Sequence, residues 1–292
     1  LLGTSPEIQG VRQAINRAAL SPAHVVILGE VGTGKQVAAR MLHAGSTSAD
    51  NPFVWLQCYG MTEQAFQERL FGQLDARADG SVAGREGMLL SAAGGTLFLE
   101  DVDMLSPGCQ NLLAELLTTG RFSPVGASRS VELDMRIVCS TTRPLAEIVA
   151  ERGFRPDLYY KLTVVEIVLP PLRERTEDII ELTAFFTESM ASRMGVSRPQ
   201  LAPMMRRRFL SHTWPGNVME LRNTIERALI HGDFDGALAP SPAEVETESL
   251  AAIEQRHILA VLEACGGNRA DAARRLGIAR KTIDRKCQSW GL

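Results

Sequence analysis

Short apolar runs separated by amphipathic stretches shape the first part of the chain. Four of these runs, each four or five residues long, cover Val25–Leu28, Phe53–Leu56, Thr96–Leu99 and Arg136–Ser140. Apolar runs of this length predict buried strands, and the stretches between them, beginning with Pro6–Ala19, follow the helical period. This alternation predicts an α/β fold with a mostly parallel sheet that carries helices on both faces.

The pattern becomes helical after Pro170-Pro171 and continues so through Arg227. Residues 232–249 are rich in Gly, Pro, Ala and acidic side chains, a composition typical of a linker. We therefore expect an α/β subdomain at 1–170, an all-helical subdomain at 171–231, a linker at 232–249 and a second, all-helical domain at 250–292.

Three short helices are predicted in the carboxyl-terminal domain. Gly266-Gly267 ends the first helix, Asn268 can cap the second, and Gly277 ends it. The spacing is that of a helix-turn-helix unit whose third helix enters a DNA major groove. The candidate DNA contacts on that helix are Arg280, Lys281, Thr282, Arg285 and Lys286. A plain three-helix bundle with a basic face is the alternative.

A glycine-rich loop follows the first predicted strand. Residues 29–36 read G-E-V-G-T-G-K-Q, which is G-x-x-x-x-G-K between a strand and a helix. Backbone N–H groups of such a loop surround phosphate oxygens, and its lysine reaches the outer phosphates. Nucleotide binding is the interpretation; a glycine turn without a ligand is the alternative. The candidate contacts are Gly29, Glu30, Gly32, Thr33, Gly34, Lys35 and Gln36, the last standing where Ser or Thr usually binds Mg²⁺.

Composition and charge narrow the classes of protein. The five cysteines lack C-x-x-C spacing, which argues against a disulfide framework or a zinc site and fits the cytoplasm. No apolar stretch approaches the ~18 residues that span a bilayer, so no membrane partner is expected. Residues 254–292 carry a net charge of +4 and the remainder −7, as expected for a DNA-binding module on an acidic body. Because the chain begins at Leu1, we expect it to be part of a longer protein.

Several further motifs resemble the sigma-54-dependent transcription activators, the bacterial enhancer-binding proteins of the NtrC type. They are E-R-L-F-G at 68–72, G-G-T-L-F-L at 94–99, F-R-P-D-L-Y-Y-K-L at 154–162, L-P-P-L-R-E-R at 169–175 and W-P-G-N-V at 214–218. The tail G-G-N-R-A-D-A-A-R-R-L-G-I resembles the Fis-type DNA-binding domain. The resemblance implies an AAA+ P-loop core, an all-α lid and a DNA reader that assemble as dimers and then as rings, with a hexamer as one candidate ring size.

The resemblance also implies roles for individual residues. Glu100 and Asp101 stand at the acidic pair of a site that binds ATP or ADP. The first acid of the pair helps to hold Mg²⁺, and the second polarises the water that attacks ATP. Arg155 matches an arginine that reaches the nucleotide of a neighbouring subunit, and Lys161 stands where a second arginine is usual. Lysine keeps the charge of that position but lacks the planar fork of arginine.

Other positions depart from the family pattern. The family reads Asp then Glu at the acidic pair, and an ångström-scale displacement of a catalytic carboxylate can cost ~100-fold in rate. Two asparagines of the family are replaced by Gln57 and Thr142, and a lid arginine that touches nucleotide is replaced by Met219. These changes predict slow or absent hydrolysis. Activity preserved by neighbours such as Arg222 is the alternative.

The loop that contacts sigma-54 also differs. Where the family carries G-A-F-T-G-A, residues 76–81 read A-R-A-D-G-S. A loop that binds by burying Phe loses ~2–3 kcal/mol of apolar transfer without it. We therefore expect the protein to act on an RNA polymerase holoenzyme that does not contain sigma-54. A few divergent members that lack this signature regulate sigma-70-type promoters, and some of those respond to cyclic di-GMP at the ATPase core. Cyclic di-GMP is therefore a candidate ligand, although no residue here indicates it.

Two functions remain open from the sequence. The first is a DNA-binding regulator whose nucleotide site controls assembly with weak or absent ATPase activity. The second is an ATP-hydrolysing activator that remodels sigma-54 RNA polymerase. A DNA-tethering scaffold with no nucleotide is a third reading.

Overall fold

The chain forms two compact units, Leu1–Leu238 and Ala239–Leu292, in the computed structural model. The structure describes residues 1–76, 82–123, 131–132, 134–234, 237–238 and 250–290. None of the helices in these ranges is long and apolar enough to cross a bilayer.

A five-stranded parallel sheet organises the first unit. The strands of this unit, in chain order, are β1 (Val25–Leu28), β2 (Phe53–Gln57), β3 (Gly72–Ala76), β4 (Val82–Glu86), β5 (Thr96–Glu100), β6 (Arg121–Phe122), β7 (Val131–Glu132), β8 (Arg136–Thr141) and β9 (Val165–Val168). The sheet has the order β2-β5-β8-β1-β9, and each neighbouring pair is parallel. The predicted parallel sheet is therefore confirmed, with β2 and β9 at its edges.

Helices cover both faces of this sheet. They are α1 (Pro6–Ala19), α2 (Lys35–Ala44), α3 (Glu63–Phe71), α4 (Met88–Ser91), α5 (Pro107–Thr119), α6 (Leu145–Ala150) and α7 (Pro156–Leu162). Each face of the sheet has its own hydrophobic core, and the side chains of β5 alternate between them. Phe98 packs with α1 and α2, whereas Leu97 and Leu99 pack with α3 and α5. This alternation follows from the two-residue period of a strand and explains its uninterrupted apolar sequence.

Two antiparallel strand pairs accompany the main sheet. Strands β3 and β4 pair from Gly72↔Glu86 to Ala76↔Val82, and β6 pairs with β7. The sequence A-R-A-D-G-S begins at the end of β3, and its residues 77–81 lie outside the described residues.

Within the described residues, the lid comprises the three helices α8 (Thr176–Met194), α9 (Pro203–Ser211) and α10 (Asn217–His231). Its core centres on the fully buried Trp214, whose indole N–H donates to the Phe209 carbonyl at 2.9 Å. Phe234, Ala237 and Leu238 also belong to this core. The lid core thus continues into residues that the sequence assigned to the linker, because the ring of Phe234 packs edge-to-face against Phe209.

The second unit contains α11 (Leu250–Ala264), α12 (Arg269–Leu276) and α13 (Arg280–Ser289). The Asn268 side chain accepts hydrogen bonds from the N–H groups of Ala270 and Asp271 and so caps α12. Gly277, at φ 67°, ends that helix in the left-handed conformation. The buried core comprises Ala272, Ala273, Ile283 and Cys287. The three predicted helices and their turns are present as expected.

Candidate nucleotide and nucleic-acid sites

The glycine-rich loop connects β1 to α2 and carries two backbone conformations that need glycine. Gly32 has φ 78° and Gly34 has φ 104°, both in the left-handed region. Helix α2 begins at Lys35, so its free N–H groups open toward the loop. This arrangement suits an anion at the start of the helix.

Lys35 is folded over the loop and is only 7% exposed. Its ammonium donates to the carbonyls of Gly29 at 2.9 Å and Glu30 at 3.3 Å. Burial lowers the pKa of Lys35, and nearby carboxylates, Asp101 foremost, oppose that shift. The charge is therefore fixed above the loop, where it can meet phosphate oxygens.

The other loop side chains support the backbone or stand beside it. The Thr33 hydroxyl donates to the Glu30 carbonyl at 2.8 Å and is buried. Gln36 lies in the first turn of α2 and is half-buried. Thr33 therefore shapes the turn.

Three carboxylates gather opposite Lys35, at the carboxyl end of β5. Glu100 ends the strand, and Asp101 follows with φ 55°, its N–H donating to the Ser140 hydroxyl at 3.2 Å. Burial raises the pKa of Asp101, and the Lys35 ammonium opposes this rise. Asp103 accepts a hydrogen bond from the Thr142 hydroxyl at 3.1 Å.

The donor set fits a magnesium ion only in combination with a phosphate ligand. Among the described residues, no group of three or more His, Cys, Asp or Glu side chains is arranged to hold a metal. Mg²⁺, however, binds through one or two carboxylates, waters and substrate phosphates. Glu100 and Asp101 are the residues that would hold it, and their charges already act on Lys35.

The lid is fastened to the glycine-rich loop through Asn217, which is fully buried. Its Nδ2 donates to the Val31 carbonyl at 2.9 Å and to the Glu30 carboxylate at 3.1 Å. Its Oδ1 accepts from the Leu172 N–H at 2.7 Å. One amide thus joins the loop, the lid helix α10 and the segment before α8.

An ion pair reinforces this connection. Arg173 donates to both carboxylate oxygens of Glu30, at 2.6 and 2.8 Å. The hydrogen bond from Arg173 lowers the pKa of Glu30. Buried Arg175 donates to the Thr33 carbonyl at 3.3 Å. Both arginines therefore bind groups of the loop itself.

The lid residue directly above the loop is apolar. A Cβ added at Gly32 would overlap the Gly216 carbonyl and lie 3.0 Å from Cβ of Met219. The Val218 N–H donates to the Gly32 carbonyl at 3.0 Å. Met219 is 57% exposed at this point. A side chain at position 219 can thus reach the loop, and here it brings no charge.

A cavity of about 480 Å³ opens beside the loop. Its lining includes Val11, Leu28, Val168, Leu169 and Pro170. These apolar residues suit the flat face of a nucleotide base, next to the anion site that the loop forms.

Arg155 and Lys161 lie away from this cluster within one chain. The exposed Arg155 side chain pairs with Asp157 at 2.7 Å and donates to Asn111 at 2.6 Å. The Lys161 ammonium donates to the Leu117 carbonyl at 3.4 Å. These partners are on α5 and α7, away from the glycine-rich loop of the same chain. If either cation contacts a nucleotide, that nucleotide would be bound to another subunit.

Sequence reasoning missed several of these residues. The Trp55 indole N–H donates to the carboxylate of Glu100, 2.9 Å from Oε2. Asp103 could have been found, because it follows Glu100 and Asp101 in one acidic run. Asn217 lies in the motif W-P-G-N-V, but its contacts could not be predicted, because its bonds to Glu30 and Val31 span more than 180 residues of sequence.

The candidate DNA contacts on α13 differ in their surroundings. Arg280, Lys281 and Arg285 are exposed, whereas Thr282 is half-buried. Lys286 pairs with Glu254 of α11 at 2.5 Å. Arg280 lies 3.8 Å from Asp284, which also pairs with Arg269 at 3.2 Å. Lys281 and Arg285 are therefore the cations of this helix that are most available to an external phosphate or base.

Replacing Asn217 by Ala tests the fastening of the lid. The buried Leu172 N–H would lose its acceptor, and the Val31 carbonyl would lose a donor. We expect the free energy of unfolding to fall by about 2–4 kcal/mol, as for a broken buried hydrogen-bond network. Urea denaturation followed by tryptophan fluorescence measures this change.

The matched control is Asn51→Ala, which removes a single exposed bond to the Gly94 carbonyl. Its effect should stay below about 1 kcal/mol. Equal effects of the two substitutions would contradict the role of Asn217.

Three family models cover most of the chain. Residues 1–168 match the sigma-54 interaction domain, residues 173–241 the AAA+ ATPase lid domain, and residues 249–289 the Fis family of bacterial regulatory proteins. The sheet with its loop, the lid and the three-helix unit described above lie within these three segments.

Similar proteins are transcription regulators. The chain is 38% identical over 295 residues to the transcriptional regulatory protein ZraR of Salmonella typhimurium, covering 97% of this chain and 67% of ZraR. It is 39% identical over 230 residues to the anaerobic nitric oxide reductase transcription regulator NorR of Citrobacter koseri, covering 79% of this chain and 46% of NorR.

The fold is also that of a solved regulator. The crystal structure of NtrX from Brucella abortus in complex with ATP superposes with a TM-score of 0.75 at 32% identity, covering 100% of this chain and 69% of NtrX. A complex of the same protein with ADP gives 0.74 at 31% identity, with the same coverage. The chain therefore belongs to the sigma-54-dependent family of transcriptional regulators, with an AAA+ core, an AAA+ lid and a Fis-type helix-turn-helix.

Proposed function

We propose that the protein is a DNA-binding transcription regulator whose core binds ATP and ADP to control self-assembly, with weak or absent hydrolysis. In this proposal it acts on RNA polymerase holoenzyme without sigma-54, in the cytoplasm. The observation that carries the proposal is the contrast between a loop that keeps its glycines and Lys35 and a lid that places Met219 over it.

The loop geometry supports nucleotide binding. Lys35 is held over the glycine turn, α2 opens toward it, and an apolar cavity adjoins it. NtrX, whose fold is similar, has been solved with ATP and with ADP. Cyclic di-GMP gains no comparable support.

The acidic cluster and the lid support weak hydrolysis. Hydrolysis needs a carboxylate that polarises water and cations that stabilise charge on the phosphoryl group. Asp101, at the second acidic position, has a shorter side chain than the family's Glu, and burial raises its pKa. Arg173 and Arg175, the lid-side arginines that bind the loop, are engaged by Glu30 and Thr33. Few free charges therefore remain for the transition state.

The sequence of the loop between β3 and β4 supports independence from sigma-54. Residues 76–81 carry no aromatic side chain. Burying a Phe against a partner contributes ~2–3 kcal/mol, which this loop lacks.

The alternative function is an ATP-hydrolysing activator that remodels sigma-54 RNA polymerase. The β3–β4 pair is formed over five residue pairs, so a platform for a contact loop is present. Arg155 is exposed on the surface, where a neighbouring subunit of a ring could present its nucleotide to it.

Steady-state ATP turnover separates the two functions. We expect the purified chain to bind ATP but to hydrolyse it far more slowly than once per second. Lys35→Ala should abolish ATP binding, because it removes the positive charge that contacts the phosphates. Typical enzymes reach about 1–10³ per second. A lysine-dependent rate of about one per second or more would contradict weak hydrolysis.

Met219→Arg tests the missing lid charge. An arginine above Gly32 should reach the phosphates and raise ATP affinity about tenfold, since a charge-assisted bond contributes on the order of 1–2 kcal/mol. Titration with a fluorescent ATP analogue measures this gain. The matched control is Met204→Arg, which adds the same charge to an exposed position of α9. An equal gain in both variants would show a nonspecific charge effect and contradict the assignment.

Arg285→Ala should weaken binding of the full chain to its DNA site by about 1–3 kcal/mol if the guanidinium contacts a base. Arg285→Lys is the conservative comparison, because lysine keeps a phosphate contact but loses the fork. Binding measured at several salt concentrations distinguishes the two contacts. If Arg285 contacts a phosphate, Arg285→Ala should reduce the slope of log affinity against log salt concentration, whereas Arg285→Lys should not. Unchanged binding of both variants at every salt concentration would remove Arg285 from the interface.

A further inference from the structure

Trp55 forms a hydrogen bond with an acid of the nucleotide site. Its indole N–H lies 2.9 Å from Oε2 of Glu100. Trp55 is 43% exposed on β2, the edge strand next to β5. Neither the nucleotide fold nor the edge-strand position requires a tryptophan here, so the contact itself calls for an explanation.

The strand register places this contact on the face of the sheet that α2 covers. Trp55 is opposite Phe98, and Gln57 is opposite Glu100. Side chains two residues apart share a face, and aromatic side chains reach diagonal neighbours on the adjacent strand. Phe98 packs in the core beneath α2. Glu100 therefore points to the side where α2 begins with Lys35.

The bond restricts a flexible carboxylate. Glutamate has one more rotatable bond than aspartate, so an unrestrained Glu100 would populate several positions. With Oε2 bound to the indole, Oε1 accepts no hydrogen bond from the residues that the structure describes, so its lone pairs are available to a metal. Carboxylates that bind metals are usually fixed by such an outer hydrogen bond, whose loss typically costs 10- to 100-fold in metal affinity.

We propose that Trp55 is a positioning residue that holds Glu100 so that its second oxygen serves the Mg²⁺ of a bound magnesium–nucleotide complex. This inference rests on the proposed nucleotide binding and deepens it. The indole compensates for the longer side chain at the position where the family has aspartate. Gln57 is exposed, and within the part of the chain that the structure describes its side chain forms no hydrogen bond with Glu100.

The test is the gain in affinity that Mg²⁺ gives to a non-hydrolysable ATP analogue. Affinity is measured by calorimetry with the full chain, in Mg²⁺ and in EDTA. Trp55→Phe removes the N–H donor and keeps an aromatic ring on the strand. We expect it to reduce the Mg²⁺-dependent gain about tenfold and to leave the affinity in EDTA unchanged.

A double-mutant cycle shows whether Trp55 acts through Glu100. Glu100→Gln removes the charge that would bind the metal and lowers the gain by itself. In that background, Trp55→Phe should have no further effect, because the carboxylate that it positions is already gone.

Three results with the Trp55→Phe variant would overturn the positioning role. Trp55→Phe could retain the full gain, lower affinity equally in Mg²⁺ and EDTA, or add its effect to that of Glu100→Gln. A wild-type chain that binds the analogue equally well with and without Mg²⁺ would also overturn it, yet leave nucleotide binding intact. A chain that binds no analogue in either condition would overturn both the proposed function and this inference.

Discussion

One buried side-chain amide connects the nucleotide loop to the rest of the first unit. Asn217 donates to the loop at Val31 and Glu30 and accepts from Leu172. A fully buried amide that loses one partner leaves unpaired polar groups, so loop and lid are expected to move together. Any ligand that reshapes the loop would therefore also shift the lid.

This connection brings the lid close to the phosphates without adding charge there. Glu30 and Arg173 neutralise each other, Arg175 binds a carbonyl, and Met219 occupies the position above Gly32. In the proposed function, Lys35 and the backbone N–H groups of the loop would bind the ground state of a nucleotide. Stabilising the transition state would need further charges aimed at the reacting phosphoryl group, and Met219 supplies none where the family resemblance implies an arginine.

The parallel sheet, the glycine-rich loop and the three carboxyl-terminal helices could be predicted because each depends on local sequence. Apolar runs marked the strands, and Asn268 and Gly277 marked the ends of α12. Contacts between distant segments could not be predicted. The Trp55–Glu100 bond depends on strand register, and the packing of Phe234 and Leu238 into the lid depends on a core formed some 25 residues earlier. Helix α13 could be predicted only in part: the sequence shows its basic residues, but not the pairing of Lys286 with Glu254.

The most direct test of the central claim is open-complex formation with purified RNA polymerase. Sigma-54 and sigma-70 holoenzymes are compared on matched promoters, each with ATP, with a non-hydrolysable ATP analogue and with no nucleotide. A nucleotide site that controls assembly predicts activity with sigma-70 holoenzyme that the analogue supports as well as ATP does. Open complexes that form only with sigma-54 holoenzyme, require ATP and fail with the analogue would contradict it.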